Sequence, residues 1–226
     1  MRERNKAYAF FSLFINMIKV IPFLYNDIYE LYANTYVVVD SNNNAVVIDP
    51  STDNNSIVDY IENNNLKLKG VLLTHGHFDH IRGVDNIINR YSCPLFIFYL
   101  DEEMLYNPDL NCSSKMSFDK PTIINSKATS IGDGEVLHSL NEDISVMWTP
   151  FHTIGSICYL FKESKILFSG DTLFKNGIGR DDLPNSDRKS MKSSLEKLFK
   201  LDDNIKVYPG HGSFTTIGNE RHFYGL

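Results

Sequence analysis

Short apolar runs separated by turn-forming residues set the rhythm of this chain. The runs at 35–39 and 45–48 flank Asp40-Ser41-Asn42-Asn43-Asn44, an Asn-rich segment that predicts a hairpin turn. Further runs at 71–73, 144–148, 166–170 and 205–207 are of strand length, and Cys158 falls in another. Between them the period changes. Residues 54–63 predict a helix with Ile57, Tyr60 and Ile61 on one face. Ile81, Val84, Ile87, Ile88 and Tyr91 recur at helical spacing, as do Met191, Leu195, Leu198 and Phe199. Residues 101–120 show no such period and read as a loop placed to wall a site. Short strands alternating with helices predict an α/β fold.

Several of these strands end in residues that bind metals. Thr74-His75-Gly76-His77-Phe78-Asp79-His80 follows the run at 71–73 and concentrates three of the chain's seven histidines beside a carboxylate. Neutral imidazole and carboxylate are the ligands of choice for zinc, iron or manganese. Such a loop can serve two cations, with His75 and His77 facing one and Asp79 and His80 the other. His152, Asp171 and His211 each follow an apolar strand and sit beside Gly or Pro, where a chain turns sharply into a cleft. Each alone reads as an ordinary strand-end residue. Added to the first motif they make a set suited to two divalent metal ions, one carboxylate bridging and a water completing the coordination. Two cations held this way lower the pKa of a shared water from about 15.7 toward neutrality, and so provide a hydroxide nucleophile. Asp79 is also placed to orient that nucleophile and shuttle its proton.

Composition narrows the function classes. The chain has 226 residues, 42% of them hydrophobic, enough for the core of one α/β domain. A net charge of −6 without a basic tract argues against a nucleic-acid partner. Gly177-Ile178-Gly179 has no trailing Lys-Ser/Thr, so it is not a phosphate loop. Cys93, Cys112 and Cys158 are odd in number and form no CxxC pair, which predicts reduced thiols in a cytoplasmic protein. We expect Cys158 in the core and Cys112 exposed in a polar loop. The N-terminus is charged over 1–6 and apolar over 7–15. It lacks a small-residue cleavage site, and the apolar run is too short to span a bilayer. Residues 1–16 are therefore expected to be an N-terminal extension or start-site artefact, and residues 17–226 a single domain without stable membrane insertion.

These motifs, with Ser169-Gly170-Asp171-Thr172-Leu173-Phe174, residues 177–184 and Tyr208-Pro209-Gly210-His211-Gly212, resemble the metallo-β-lactamase superfamily, and most closely its small glyoxalase II-like branch. The resemblance implies a four-layer αββα sandwich with the metal site at strand ends between two similar halves. The strands ending in Asp49 and Asp171 are a faint echo of those halves. It also implies that His75, His77 and His152 hold a first metal, that Asp79, His80 and His211 hold a second, and that Asp171 bridges them. Zinc is expected, with iron and manganese as alternatives. The family usually has Gly where this chain has Phe151 and often Cys where it has Thr35. Phe151 is expected to stiffen its loop and reshape the pocket wall.

The implied activity is hydrolysis of a small-molecule thioester of the S-lactoylglutathione type, because the Gly-Arg-Asp-Asp-Leu-Pro segment looks like that of the small glyoxalase II-like enzymes. Glyoxalase II grips glutathione partly with a C-terminal helical domain for which this chain has no room after His211. Arg180 is the candidate to hold a substrate carboxylate, or else pairs with Asp181 or Asp182. A mononuclear iron persulfide dioxygenase, a lactonase or other hydrolase on the same scaffold, a nuclease and a non-enzymatic metal-binding module are the rival readings.

Overall fold

Twelve strands carry the architecture in the computed structural model, which describes residues 18–25, 31–117 and 120–225. The expected extension at 1–16 lies outside the described residues. The first sheet is built from β1 (Lys19–Phe23), β2 (Thr35–Val39), β3 (Asn44–Ile48), β4 (Lys67–Leu72), β5 (Leu95–Phe98) and β6 (Thr129–Ile131), in that spatial order. The first three strands run antiparallel to one another, while β3 to β6 run parallel. The second sheet runs β12 (Thr215–Thr216), β11 (Lys206–Pro209), β10 (Ile166–Gly170), β9 (Ile157–Phe161), β8 (Ile144–Trp148) and β7 (Val136–Leu137). There only β10 and β11 are parallel. The Asn-rich turn does join β2 to β3, with Asp40 accepting from the Asn42 and Asn44 backbone N–H groups.

The central strands are apolar on both faces, and each face has its own partner. Along β2, Tyr36 and Val38 point between the sheets, while Val37 and Val39 point outward. Strand β9 repeats this, with Ile157, Tyr159 and Phe161 inward and Cys158 and Leu160 outward. The inward residues of both sheets form one core. Outside the first sheet a second core packs α1 (Ser56–Asn63), α2 (Phe78–Ile81) and α3 (Val84–Tyr91) through Ile57, Ile61, Ile81, Val84 and Ile87. Outside the second sheet a third core packs α5 (Met191–Leu198) and α6 (Ile217–Phe223) through Leu198 and Ile217. Between α3 and α5 lies the single turn α4 (Ser113–Met116). Three cores between four layers make the αββα sandwich. Each fully buried aliphatic or aromatic side chain adds about 1.5–3 kcal/mol. Among the described residues no helix is long and apolar enough to cross a membrane.

Three expectations change. Residues 81–91 are not one helix, because α2 ends at Ile81 and α3 begins at Val84 after Gly83. The segment 101–120 is not loop throughout, since it contains most of the 3-10 helix Tyr99–Leu105 and all of α4. Asn111 pins it by donating to the Met104 and Thr122 carbonyls, which stabilises turns too short to show a period. Cys112 is buried rather than exposed, at φ 68, and burial pushes its thiol up to about 11.

Candidate metal centre

The ligand loop 74–80 begins where β4 ends, at the carboxyl end of the parallel strands, where loops of an open α/β sheet converge. Both sheets clamp its first residue. The Thr74 N–H donates to Asp49 Oδ1 (2.8 Å) and its hydroxyl to Asp49 Oδ2 (2.6 Å). The Thr74 carbonyl accepts the Ile157 N–H of the second sheet (2.9 Å). Asp171 follows β10 after a register shift between Phe168 and Gly170, and His211 follows β11. Gly210 lets these two ends meet, since a Cβ there would fall 2.1 Å from Asp171 Oδ1. The first sheet reaches across to the same place. The Asn34 N–H donates to the Gly210 carbonyl (2.6 Å), and the Tyr36 hydroxyl to the Pro209 carbonyl (2.6 Å).

The fold brings all seven expected metal residues together. His75, His77 and His152 form one group of ligand atoms lying within 4.8 Å of one another, as do His75, His80 and Asp171, and Asp79, His80 and His211. His77 Nδ1 lies 2.9 Å from His152 Nε2, and His211 Nε2 lies 3.1 Å from Asp79 Oδ2. Atoms each about 2 Å from a shared cation are about 3 Å apart, so these spacings suit one.

Hydrogen bonds at the far side of three rings fix which nitrogen is free. Because the Thr74 hydroxyl donates to Asp49, its Oγ1 accepts from His75 Nδ1 (3.2 Å). His80 Nδ1 donates to Asp49 Oδ2 (2.9 Å), and His152 Nδ1 to the Arg180 carbonyl (2.8 Å). Each leaves Nε2 with its lone pair toward the cluster, as expected of imidazole ligands oriented from behind. His75 Nε2, His80 Nε2 and Asp171 Oδ1 are all buried without a hydrogen-bond partner. Orphaned polar atoms in one place are costly in a native fold, and a divalent cation would satisfy them together. The donor set of imidazoles and carboxylates therefore fits zinc, iron or manganese.

The electrostatics agree with that fit. Burial, with His80 and the other rings adding to it, holds His75 well below the usual histidine value, and burial and His152 hold His77 at about 3. Burial acts to lower His80, but Asp171, Asp79 and Asp49 outweigh it and leave it well above the usual value. Burial likewise opposes ionisation of Asp171, yet His211, His80 and His152 keep its carboxyl well below the normal range. Carboxylates that hold protons on neighbouring imidazoles are placed to hold cations instead.

A cavity of about 220 Å³ opens over the cluster, with Leu31, Phe78, Cys112, Met116, Phe174 and Leu183 forming its apolar wall. Cys112 and Met116 come from the segment expected to wall the site. Contrary to expectation, Phe151 does not line the cavity and is wholly buried, so this difference acts on packing. Arg180 stands at the rim, 54% exposed, and grips Asp182 through Nε (2.7 Å) and a terminal nitrogen (3.0 Å). Asp181 pairs with Arg188 instead (2.8 Å).

Two sheets face to face, helices on both outer faces and a histidine–carboxylate cluster at the strand ends define the metallo-β-lactamase sandwich. The profile of the Metallo-beta-lactamase superfamily matches residues 28–211, and the chain belongs to that superfamily. It is 35% identical to an uncharacterized protein of Mycobacterium leprae over 85% of this chain and 92% of that one. It is 31% identical to the hydroxyacylglutathione hydrolase GloC of Haemophilus influenzae over 83% and 89% of the two chains. Among solved structures, BLEG-1 B3 metallo-beta-lactamase superposes with a TM-score of 0.82 at 33% identity, covering 91% of this chain and 97% of that one. TTHA1623 in a di-iron-bound form gives 0.78 at 28% identity, with 90% and 98% covered.

Proposed function

We propose that this protein is a dinuclear metal-dependent hydrolase acting on thioesters of the hydroxyacylglutathione type. The position of Asp171 carries the reading. Its Oδ1 lies 3.4 Å from His80 Nε2, while its Oδ2 lies 3.4 Å from His152 Nε2 and 3.5 Å from His211 Nε2. One carboxylate thus touches both groups of histidines, where a bridging ligand belongs. In this reading His75, His77 and His152 hold one cation, Asp79, His80 and His211 the other, and Asp171 both. Zinc is the expected metal. When bound, such a pair supplies hydroxide at neutral pH and polarises the acyl carbonyl.

The protein's own residues do the rest. Burial works to raise the Asp79 carboxyl, but His80 and His211 outweigh it and keep it below the usual value, so it is ionised at neutral pH and can take a proton. Phe78, Met116, Phe174 and Leu183 exclude water and pack the apolar part of an acyl group. Arg180 can meet a substrate carboxylate by sharing its guanidinium with Asp182. The name borne by the Haemophilus relative supports the thioester class. Residues 17–226 act here as one domain. The three free cysteines agree with a cytoplasmic setting.

The test is metal content of the purified protein together with hydrolysis of S-D-lactoylglutathione, beside Asp171→Ala. About two metals per chain with turnover abolished in the variant is the expected result. One iron per chain without thioester turnover would sink this reading in favour of a persulfide dioxygenase.

A further inference from the structure

Asp101 is a buried carboxylate outside the ligand set, and it ties three loops of the site together. It lies in the 3-10 helix Tyr99–Leu105 and is wholly inaccessible. Its Oδ2 accepts from the Gly76 N–H (3.2 Å) and the Thr153 hydroxyl (2.6 Å). Its Oδ1 accepts from the Gly155 N–H (2.9 Å) and the Asn185 amide (3.0 Å). Gly76 sits between His75 and His77, and Thr153 directly follows His152. One side chain therefore grips the Gly76 peptide between His75 and His77, and the Thr153 hydroxyl and Gly155 N–H of the turn that follows His152.

Both ligand loops are cut to fit against this helix. A Cβ on Gly76 would fall 2.5 Å from Met104 Cβ, and one on Gly155 would fall 2.4 Å from Asp101 Oδ1. Asn185 extends the brace to the loop at the cavity rim. Its carbonyl accepts the Ile154 N–H (2.8 Å), and the neighbouring Ser186 hydroxyl donates to the His152 carbonyl (2.7 Å). Among the described residues four neutral donors and no ion pair hold Asp101. Burial pushes its carboxyl up to about 6, against the lowering by those four bonds. A buried carboxyl is costly unless hydrogen-bonded, and all four of its bonds here go to loops of the site.

We infer that Asp101 is a positioning residue for the first metal site, holding the Gly76 peptide and the 152–155 turn in the relative placement that makes His75, His77 and His152 converge. This rests on the ligand assignment proposed above. It assigns Asp101 no contact with substrate.

Zinc affinity measured by competition with a chromophoric chelator separates the possibilities. Wild type is measured first, then His211→Ala, which keeps the first site, and His152→Ala, which keeps the second. Asp101→Asn is expected to weaken zinc about ten- to a hundredfold in the His211→Ala protein and to leave the His152→Ala protein unchanged. Thr153→Val removes one of the four bonds and should give a smaller loss of the same pattern. It serves as the test if circular dichroism shows that Asp101→Asn does not fold. Unchanged zinc affinity in the folded His211→Ala pair overturns the inference, and so does an equal loss in both backgrounds. Wild-type protein that binds no zinc removes the ligand assignment itself, and the brace with it.

Discussion

Asp49 holds its backbone at φ 50, in the left-handed region that a residue with a Cβ adopts only under constraint. Every polar group it has is engaged. Its N–H donates to the Leu72 carbonyl, its carbonyl accepts the Thr35 hydroxyl, and its carboxylate holds Thr74 and His80. Thr35, where the family often has Cys, thus helps to brace the bend. Asp49→Ala should leave the buried Thr74 N–H unpaired and cost about 1–3 kcal/mol in urea unfolding. It should also weaken metal binding about ten- to a hundredfold, because His80 loses the bond that sets its tautomer. Unchanged affinity in a chelator titration would show that His80 needs no such support. Arg180 is the opposite case. Its pair with Asp182 is solvent-exposed and screened, so Arg180→Ala should barely move the melting temperature. If it holds a substrate carboxylate, KM rises while kcat stays; unchanged KM removes that role. The site residues themselves were legible because three histidines and a carboxylate crowd into 75–80, and that motif gave meaning to the strand-end His152, Asp171 and His211. Asp49 showed only as an echo of Asp171, and Asp101 not at all, since an Asp inside a non-periodic stretch resembles any surface turn.

At the scale of elements, the apolar period foretold which faces are buried better than where helices stop. Val84 and Ile87 are buried as their spacing required, yet the chain breaks at Gly83. A Cβ there would lie 2.2 Å from the Thr52 carbonyl oxygen, which belongs to the segment after β3. That clash is with distant backbone, so no local pattern announces it. The three-residue step from Ile81 to Val84 looks the same with or without a break. Gly83→Ala is a sharp test because φ −82 suits alanine, whose stiffer unfolded chain would by itself favour the folded state by about 0.4–1 kcal/mol. We expect the steric term to win and the variant to lose about 1–3 kcal/mol in urea unfolding. A stabilised variant would mean that the 50–52 backbone moves aside freely.

For the molecule as a whole, the clustered charges predict how the metal-free protein responds to pH. His75 and His77, lowered by burial and neighbouring rings, bind fewer protons folded than unfolded below about pH 6.5. Their contribution therefore falls as the pH drops below about 6.5, for His77 until about pH 3. His80 and His211 are raised by Asp171 and Asp79 against the effect of burial, so they bind more protons folded than unfolded above that value. Their contribution is lost as the pH rises past about 6.5. Thermal melting of chelator-treated protein should therefore peak near about pH 6.5, and the stabilisation by added zinc should grow at alkaline pH, where fewer protons must be displaced. A melting temperature that climbs steadily through alkaline pH without metal would contradict this. The sequence by itself determined the strand periods, the α/β class and the seven candidate metal ligands, because these depend on residue type and on spacing within a few positions. Only the tertiary structure decided that His77 meets His152 across 75 residues, that Asp49 and Asp101 orient the loops around them, and that Cys112 and Met116 wall the cavity. A carboxylate's role depends on which donors reach it, and here they arrive on loops far apart in the chain, brought together by the packing of two sheets.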